Sequence, residues 1–281
     1  MRLVFLGAVM VSRVAALARR PAWSRSSRSR GASTASATVD AGLPLEAFSV
    51  APMMDYTDRH FRYLFRLLSS EAVLYTEMVT AATLVDGAGA ARHGDGRRWL
   101  GFEDHSGRTV LQLGGADPKA LGAATALATR QGYGYAGVNL NCGCPSDRVA
   151  GKGSFGAALM RDADRVAACC EAMGAHAPVS VKCRIGVCDT VGDMTDDDER
   201  LYESLAAFVS RVADVGGVRR FVVHARVAVL SGLTPDKNRK VPTLKPHLVT
   251  RLAEDFPSLE VVTNGEVTSY ELQGSERVQN G

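Results

Sequence analysis

The 281-residue chain carries 33 basic and 30 acidic side chains, a net charge of +3, with 46% hydrophobic and 6% aromatic residues. The length supports one large core or two modest domains, and the near-neutral charge excludes a general nucleic-acid-binding surface as the reading of composition alone. Six cysteines, Cys142, Cys144, Cys169, Cys170, Cys183 and Cys188, cluster mid-chain; in a chain too large to need covalent staples they read as reduced thiols.

Residues 1–39 differ from the rest. They hold seven arginines and no Asp, Glu or Lys, and Ser and Thr crowd the stretch from Ser24 to Thr38. Arg2, Arg13 and Arg20 fall within about 20° of one another on a helical wheel. This is the composition of an organelle transit peptide, which predicts a mitochondrial or plastid protein, with the cytoplasm as the alternative. A disordered basic leader and a secretory or anchoring segment are the competing readings. The apolar run Leu3–Val11 is far short of the ~20 residues that span a membrane, so no stable membrane association is expected. The remaining 26 basic and 30 acidic residues leave the body of the chain at −4, so any RNA site must be a local basic patch.

From residue 40 onward, strand and helix signals alternate. Phe48–Pro52 reads as a strand, and Thr57 or Asp58 caps a helix over Arg59–Leu68. Val73–Glu77 is a second strand, followed by a mixed region from Met78 to Arg98. Thr109–Leu113 is a third, followed by a helix from Asp117-Pro118 to about Gln131. Tyr135–Leu140 is a fourth strand and runs into Asn141, Cys142, Gly143, Cys144 and Pro145. A helix from Asp162 to Met173, a fifth strand Pro178–Cys183 and a helix Glu199–Val215 come next. Arg219–His224, a helix Leu244–Asp255 and a seventh strand Leu259–Asn264 complete the series. This repeat predicts a (β/α)8 TIM barrel. A doubly wound sheet is the rival, but no GxGxxG follows the first strand.

The strand ends share a phase. Met53 to Asp55, Glu77, Gln112, Asn141 to Cys144, Lys182 to Arg184, His224 to Arg226 and Asn264 all stand where a barrel gathers its functional residues on one face. After Asn264-Gly265, residues 266–281 read as a weak helix and polar tail with no eighth buried strand. The expected barrel is thus truncated after its seventh strand and open at two strand edges.

Seven ordered blocks resemble the tRNA-dihydrouridine synthase family: Ala51 to Asp58, Leu74 to Val79, Leu111 to Gly115, Asn139 to Val149, Val181 to Gly186, Val223 to Arg226 with Leu230 to Leu233, and Asn264-Gly265. The second and fourth blocks point to the branch that acts on the tRNA D-loop at the positions called 20 and 20a. The resemblance implies an FMN-binding barrel over residues 40–265 that uses NADPH to reduce uridine to 5,6-dihydrouridine, acts as a monomer on the tRNA D-loop and needs no metal. It implies Cys144 as the catalytic thiol. Pro52, Met53, Gln112, Lys182, His224, Asn264 and Gly265 would contact the cofactor, and Asn141, Arg184 and Arg226 the substrate. Val227 stands where relatives carry Lys, and Glu266 where they carry a second glycine. The Gly-Arg strand and helical tRNA-binding domain with which the family continues are replaced by the tail 266–281.

Reduction of the uracil 5,6 double bond needs a hydride on one carbon and a proton on its neighbour. An ordinary thiol, with a pKa of about 8.5, is still largely protonated at pH 7 and can serve as the acid. Lys182 and Gln112 suit the electron-rich edge of a reduced flavin, and Asn141 offers a donor and an acceptor to a uracil edge. Arg184, Arg226 and the loop Arg148–Lys152 are candidate phosphate contacts. Plainer readings stand beside these. Cys144 can be an inert thiol, and Cys142 with Cys144 a metal pair without partners. Cys169 and Cys170 can be core, His224 a satisfied core histidine and Lys182 a surface lysine. Asp189 to Glu199 can be a helix start rather than a metal loop, and Glu77 can orient a basic neighbour. Two further function classes remain: an inactive truncated product, and a barrel flavoenzyme acting on a free pyrimidine, as dihydroorotate dehydrogenases do.

Overall fold

The computed structural model describes residues 10–13, 48–94, 96–101, 108–130, 133–145 and 155–267. The ring strands of its main sheet are β1 (Met10–Arg13), β2 (Phe48–Val50), β3 (Val73–Tyr75), β4 (Thr109–Gly114), β5 (Gly137–Cys142), β6 (Val179–Arg184), β7 (Arg220–His224) and β8 (Glu260–Val267), with a two-residue strand, Val79–Thr80, pairing in parallel with the end of β4. From β2 to β8 each strand pairs in parallel with the next. The main helices are α1 (Arg59–Leu68), α2 (Pro118–Arg130), α3 (Ala163–Gly174), α4 (Asp198–Gly216) and α5 (Pro246–Asp255). The region from Met78 to Arg98 supplies two single-turn helices, Ala81–Leu84 and Arg97–Leu100. The architecture is that of a (β/α)8-type barrel with seven parallel strands.

The expected open seam between the first and last parallel strands is closed. Strand β1, from the arginine-rich leader, runs antiparallel to both β8 and β2 and joins the ring between them. Residues 10–13 are therefore extended rather than helical. The arginine periodicity of the leader concealed this, because charge composition says nothing about which backbone groups a barrel leaves unpaired. The rest of the leader and the tail 268–281 lie outside the described residues.

Strand alternation sorts side chains into two layers. Leu111, Leu113, Val138, Leu140, Val181, Phe221, Val223 and Val261 point outward and pack with Leu121, Val166, Leu205 and Leu248 of the helices. Ala51, Val73, Tyr75, Val110, Val222 and Val262 point inward and form a separate small cluster inside the barrel. Below that cluster the Arg220 guanidinium grips Glu260 with two bonds of 2.9 and 2.8 Å, the two residues being direct neighbours on β7 and β8.

Caps set the helix starts. The Asp58 carboxylate accepts from the Phe61 N–H at 2.8 Å, Asp162 from Arg165 at 3.0 Å and Asp197 from Arg200 at 3.1 Å. Gly217, in the left-handed region at φ 69°, ends α4. The acidic run before α4 is engaged locally: Asp198 binds Lys245 and His247 at 2.6 Å each, and Glu199 binds Arg251 at 2.6 Å. No helix among the described residues is long and apolar enough to cross a membrane.

All six cysteines are free. Burial pushes the Cys142 and Cys170 thiols well up, and Cys169 and Cys183 up to about 12. An acid whose folded pKa is raised loses its proton first in the unfolded chain, so unfolding gains favour as pH rises from about 9 toward 12. Lys182, lowered to about 8 chiefly by burial, acts in the opposite direction between about 8 and 10.5, but it is one group against four. The urea midpoint is therefore expected to fall between pH 8 and pH 10, with a shallower fall in Cys170→Ala. A midpoint that holds or rises would contradict this assignment of the thiols to the closed core.

Candidate active site

The polar strand ends meet on one face because their registers align. Gln112 lies beside Asn139, Asn141 beside Lys182, Arg184 beside His224, and His224 beside Asn264. Each of the pairs Asn139/Asn141 and Lys182/Arg184 spans two positions, so both members point the same way, into the barrel mouth.

One wall is a hydrogen-bonded ladder. Ser180 Oγ accepts from Asn139 Nδ2 at 3.0 Å, and Asn139 Oδ1 accepts from Gln112 Nε2 at 2.8 Å. Gln112 Oε1 accepts from Asn141 Nδ2 at 2.9 Å. The Asn141 amide oxygen then accepts from the backbone N–H groups of Gly143 and Cys144, at 3.1 and 3.0 Å. This side-chain-closed turn, of a kind Asn favours, fixes the half-buried Cys144 at the end of β5. The Cys144 carbonyl accepts from Ala157 at 2.9 Å.

Arg184 braces the same loop. Its guanidinium is buried, donating to the carbonyls of Gly143, Val227 and Asn238 at 3.2, 3.3 and 3.1 Å, and burial lowers its pKa to about 10. Arg226 is buried too. It donates to the Pro242 carbonyl and pairs with Glu266 at 2.5 Å. Both arginines thus face inward and hold loops, whereas a phosphate contact needs an accessible guanidinium. Glu266, the residue that departs from the family pattern, is the carboxylate that meets Arg226.

The opposite wall is Lys182, His224, Asn264 and Gly265. Lys182 Nζ donates to Asn264 Oδ1 at 2.9 Å. The Asn264 Nδ2 is buried with no hydrogen-bond partner among the described residues. Burial first, then the charges of Arg184, Lys182 and Arg226, drive the His224 pKa far down, so its imidazole is neutral at pH 7. Its ring makes no hydrogen bond among the described residues. Gly265, at φ 113°, brings bare backbone against that ring: an added Cβ would lie 2.7 Å from His224 Cδ2. Gly265→Ala is expected to cost about 1–3 kcal/mol from backbone strain and to displace the imidazole. Urea unfolding checks this, and wild-type stability would refute it.

A turn after β2 forms the near rim. The Met53 carbonyl accepts from the N–H groups of Tyr56 and Thr57 at 3.2 and 2.9 Å, and Thr57 Oγ1 accepts from Met53 N–H at 2.9 Å. Asp55 takes the left-handed conformation at φ 64°, held by its N–H donating to Glu77 Oε1 at 2.6 Å. Glu77 therefore orients a backbone amide rather than a basic side chain. Pro52 and Met53 are half-buried, with Met54 and Tyr56 exposed beyond them.

The sequence pattern singles out Asn141 and Gln112 but gives no role to Asn139, Ser180 or Asn238, and offers Thr57 only as a helix cap, whereas its hydroxyl bonds Met53. The Asn-x-Asn spacing at 139–141 was the available signal for Asn139. Asn238, buried and bonded to both Val229 N–H and Val229 C=O, carries no such pattern. The loop Arg148–Lys152 lies outside the described residues.

The family model described as dihydrouridine synthase (Dus) matches residues 49–279. The chain is 46% identical over 226 residues to a protein of Yersinia pestis named tRNA-dihydrouridine(20/20a) synthase, covering 80% of this chain and 60% of that one. Proteins of the same name from Xanthomonas axonopodis and a Synechocystis strain are 48% and 45% identical, covering 79% and 83% of this chain and 61% and 64% of theirs. The chain thus spans somewhat under two thirds of the length of these curated relatives.

Proposed function

The chain belongs to the dihydrouridine synthase family, and on that footing we propose that its barrel mouth holds FMN and reduces uridine to 5,6-dihydrouridine in the tRNA D-loop, with NADPH as the source of electrons. The observation that carries the proposal is the pairing of walls: a free, half-buried thiol at Cys144 on one side, and on the other a set of inward donors with spare capacity. Those donors are Lys182, the neutral His224 ring and the unpartnered Asn264 Nδ2.

These groups fit a flavin. Its carbonyl and ring-nitrogen edge needs donors, which Lys182, Asn264 and the free Gln112 N–H supply. Its flat ring needs a surface that no side chain fills, which the Met53 backbone turn and bare Gly265 provide. When bound, the flavin supplies hydride to the substrate and is recharged by NADPH. Below about pH 8 Lys182 carries its proton, and its charge favours electron density on a neighbouring ring edge.

Cys144 holds the other hydrogen. As the acid it gives its thiol proton to the uracil carbon next to the one that receives hydride. Asn141 has its oxygen engaged in holding the Cys144 loop and one N–H donated to Gln112 Oε1, so it keeps one N–H for a uracil carbonyl. A target base must leave its stack to enter such a mouth. The buried Arg184 and Arg226 act by fixing the loops around it, and phosphate contacts fall to residues elsewhere.

The test is incubation of the purified chain with FMN, NADPH and a tRNA transcript, with nucleoside mass spectrometry of the RNA. Dihydrouridine appearing in the D-loop supports the reading. Reduction of free uridine or uracil with tRNA untouched would overturn it in favour of a small-pyrimidine reductase.

A further inference from the structure

Seven parallel strands leave two edges, on β2 and on β8. Each presents a row of backbone N–H and C=O groups that must find partners once buried. In this protein the partner is a segment of its own leader. Met10, Val11 and Ser12 align with Val50, Ser49 and Phe48 of β2. On the other side Val11, Ser12 and Arg13 align with Asn264, Thr263 and Val262 of β8. The antiparallel sense matters, because an antiparallel strand can join both neighbours without the helical crossover that a parallel strand requires.

The register on β8 is broken in one place. Met10 aligns with Val267 while Val11 aligns with Asn264, so Gly265 and Glu266 bulge from the ladder. These two residues have φ of 113° and 49°, which matches the strained backbone of a bulge. These two positions and Asn264 form a wall of the active site. Asn264 binds Lys182, Gly265 lies against His224, and Glu266 meets Arg226.

We propose that Met10–Arg13 is a working eighth strand of this barrel, which fixes the Asn264–Glu266 bulge and with it the Lys182–His224 wall. The leader is then not only an address. Cleavage on the C-terminal side of Arg13 would release the strand, reopen both edges and loosen that wall. The pairing observations stand whether or not the barrel reduces tRNA, and the test reads them without any activity.

Amide hydrogen exchange on the unmodified full chain decides the first point. The amides of Val11, Ser12 and Arg13 are expected to exchange at least about 100-fold more slowly than in an unstructured peptide. Exchange at the unstructured rate would overturn the proposal outright. Val11→Pro with Ser12→Pro then tests the coupling, since successive residues direct their N–H groups to opposite neighbours and the two prolines remove a donor toward each. Faster exchange at Ser49, Val50, Thr263 and Asn264, with β5 and α3 unchanged, is the expected result. Wild-type protection at Thr263 and Asn264 in that variant would overturn the link between the leader and the site. The single variant Ser12→Ala, which keeps the backbone donors, is expected to match the unmodified chain.

Discussion

On the proposed function, Cys144→Ala is expected to lower dihydrouridine formation by about 10²–10⁴-fold, the usual contribution of a positioned general acid, while leaving the proposed FMN binding intact. The separation follows from how the loop is held. Cys144 is fixed through its backbone: its N–H donates to Asn141 Oδ1, its carbonyl accepts from Ala157, and the neighbouring Gly143 carbonyl accepts from Arg184. None of these bonds uses the sulfur, so alanine leaves the loop in place. The donors assigned to the flavin come from Gln112 on β4, Lys182 on β6, His224 on β7 and Asn264 on β8, and are untouched. No other thiol can stand in, because Cys142 and Cys183 are fully buried and burial drives both thiols further toward the protonated, inert form. Cys144→Ser should not restore the rate, since a hydroxyl of similar size is a far weaker acid. Retained activity in the alanine variant would remove Cys144 from the chemistry, and lost flavin would make it a cofactor residue instead. Single-turnover reduction of tRNA, with the flavin spectrum followed in parallel, separates these outcomes.

Glu260→Gln is expected to destabilise the fold by about 1.5–3 kcal/mol, the usual worth of a hydrogen bond between charged groups. Arg220 is 3% exposed at its side chain and Glu260 19%, so the bond between them is largely shielded from water. The pair sits below the inward apolar cluster, at the end of the barrel opposite Cys144, which makes it a part of the scaffold rather than of the chemistry. For a chain of this size the loss corresponds to a fall in Tm of roughly 3–12 °C. Replacing both partners with apolar residues, Arg220→Met with Glu260→Leu, should recover much of the loss, because no charge is then left buried. Calorimetry on the three proteins checks this, and a Glu260→Gln variant that melts with the wild type would show that water reaches Arg220.

The parallel strands and their order were legible because each is an apolar run that stops at a polar residue. Val-Ser-Val-Lys-Cys-Arg at 179–184 and Arg-Phe-Val-Val-His at 220–224 show the pattern, and the structure places these strands within two residues of the sequence reading. The convergence of Gln112, Asn141, Lys182, His224 and Asn264 followed from strand phase alone. Features that depend on partners distant in sequence were not legible. Arg184 and Arg226 read as substrate or phosphate contacts, and only backbone carbonyls from separate loops explain their burial. Glu77 looked like a partner for a base, yet it secures the strained Asp55 amide 22 residues away. The leader strand was the least visible, since an Arg- and Ser-rich segment gives no alternation to mark an extended stretch. Only the unpaired edges of β2 and β8 give it a place.

The central claim is that the mouth framed by Cys144, Lys182, His224 and Asn264 is a flavin site. The most direct measurement is the visible absorption spectrum of the purified full chain titrated with FMN, beside the Lys182→Met variant. A protein-shifted flavin spectrum that saturates is expected in the wild type, weakening sharply when Lys182 loses its ammonium. A spectrum identical to free FMN at every protein concentration, with the protein folded, would contradict it.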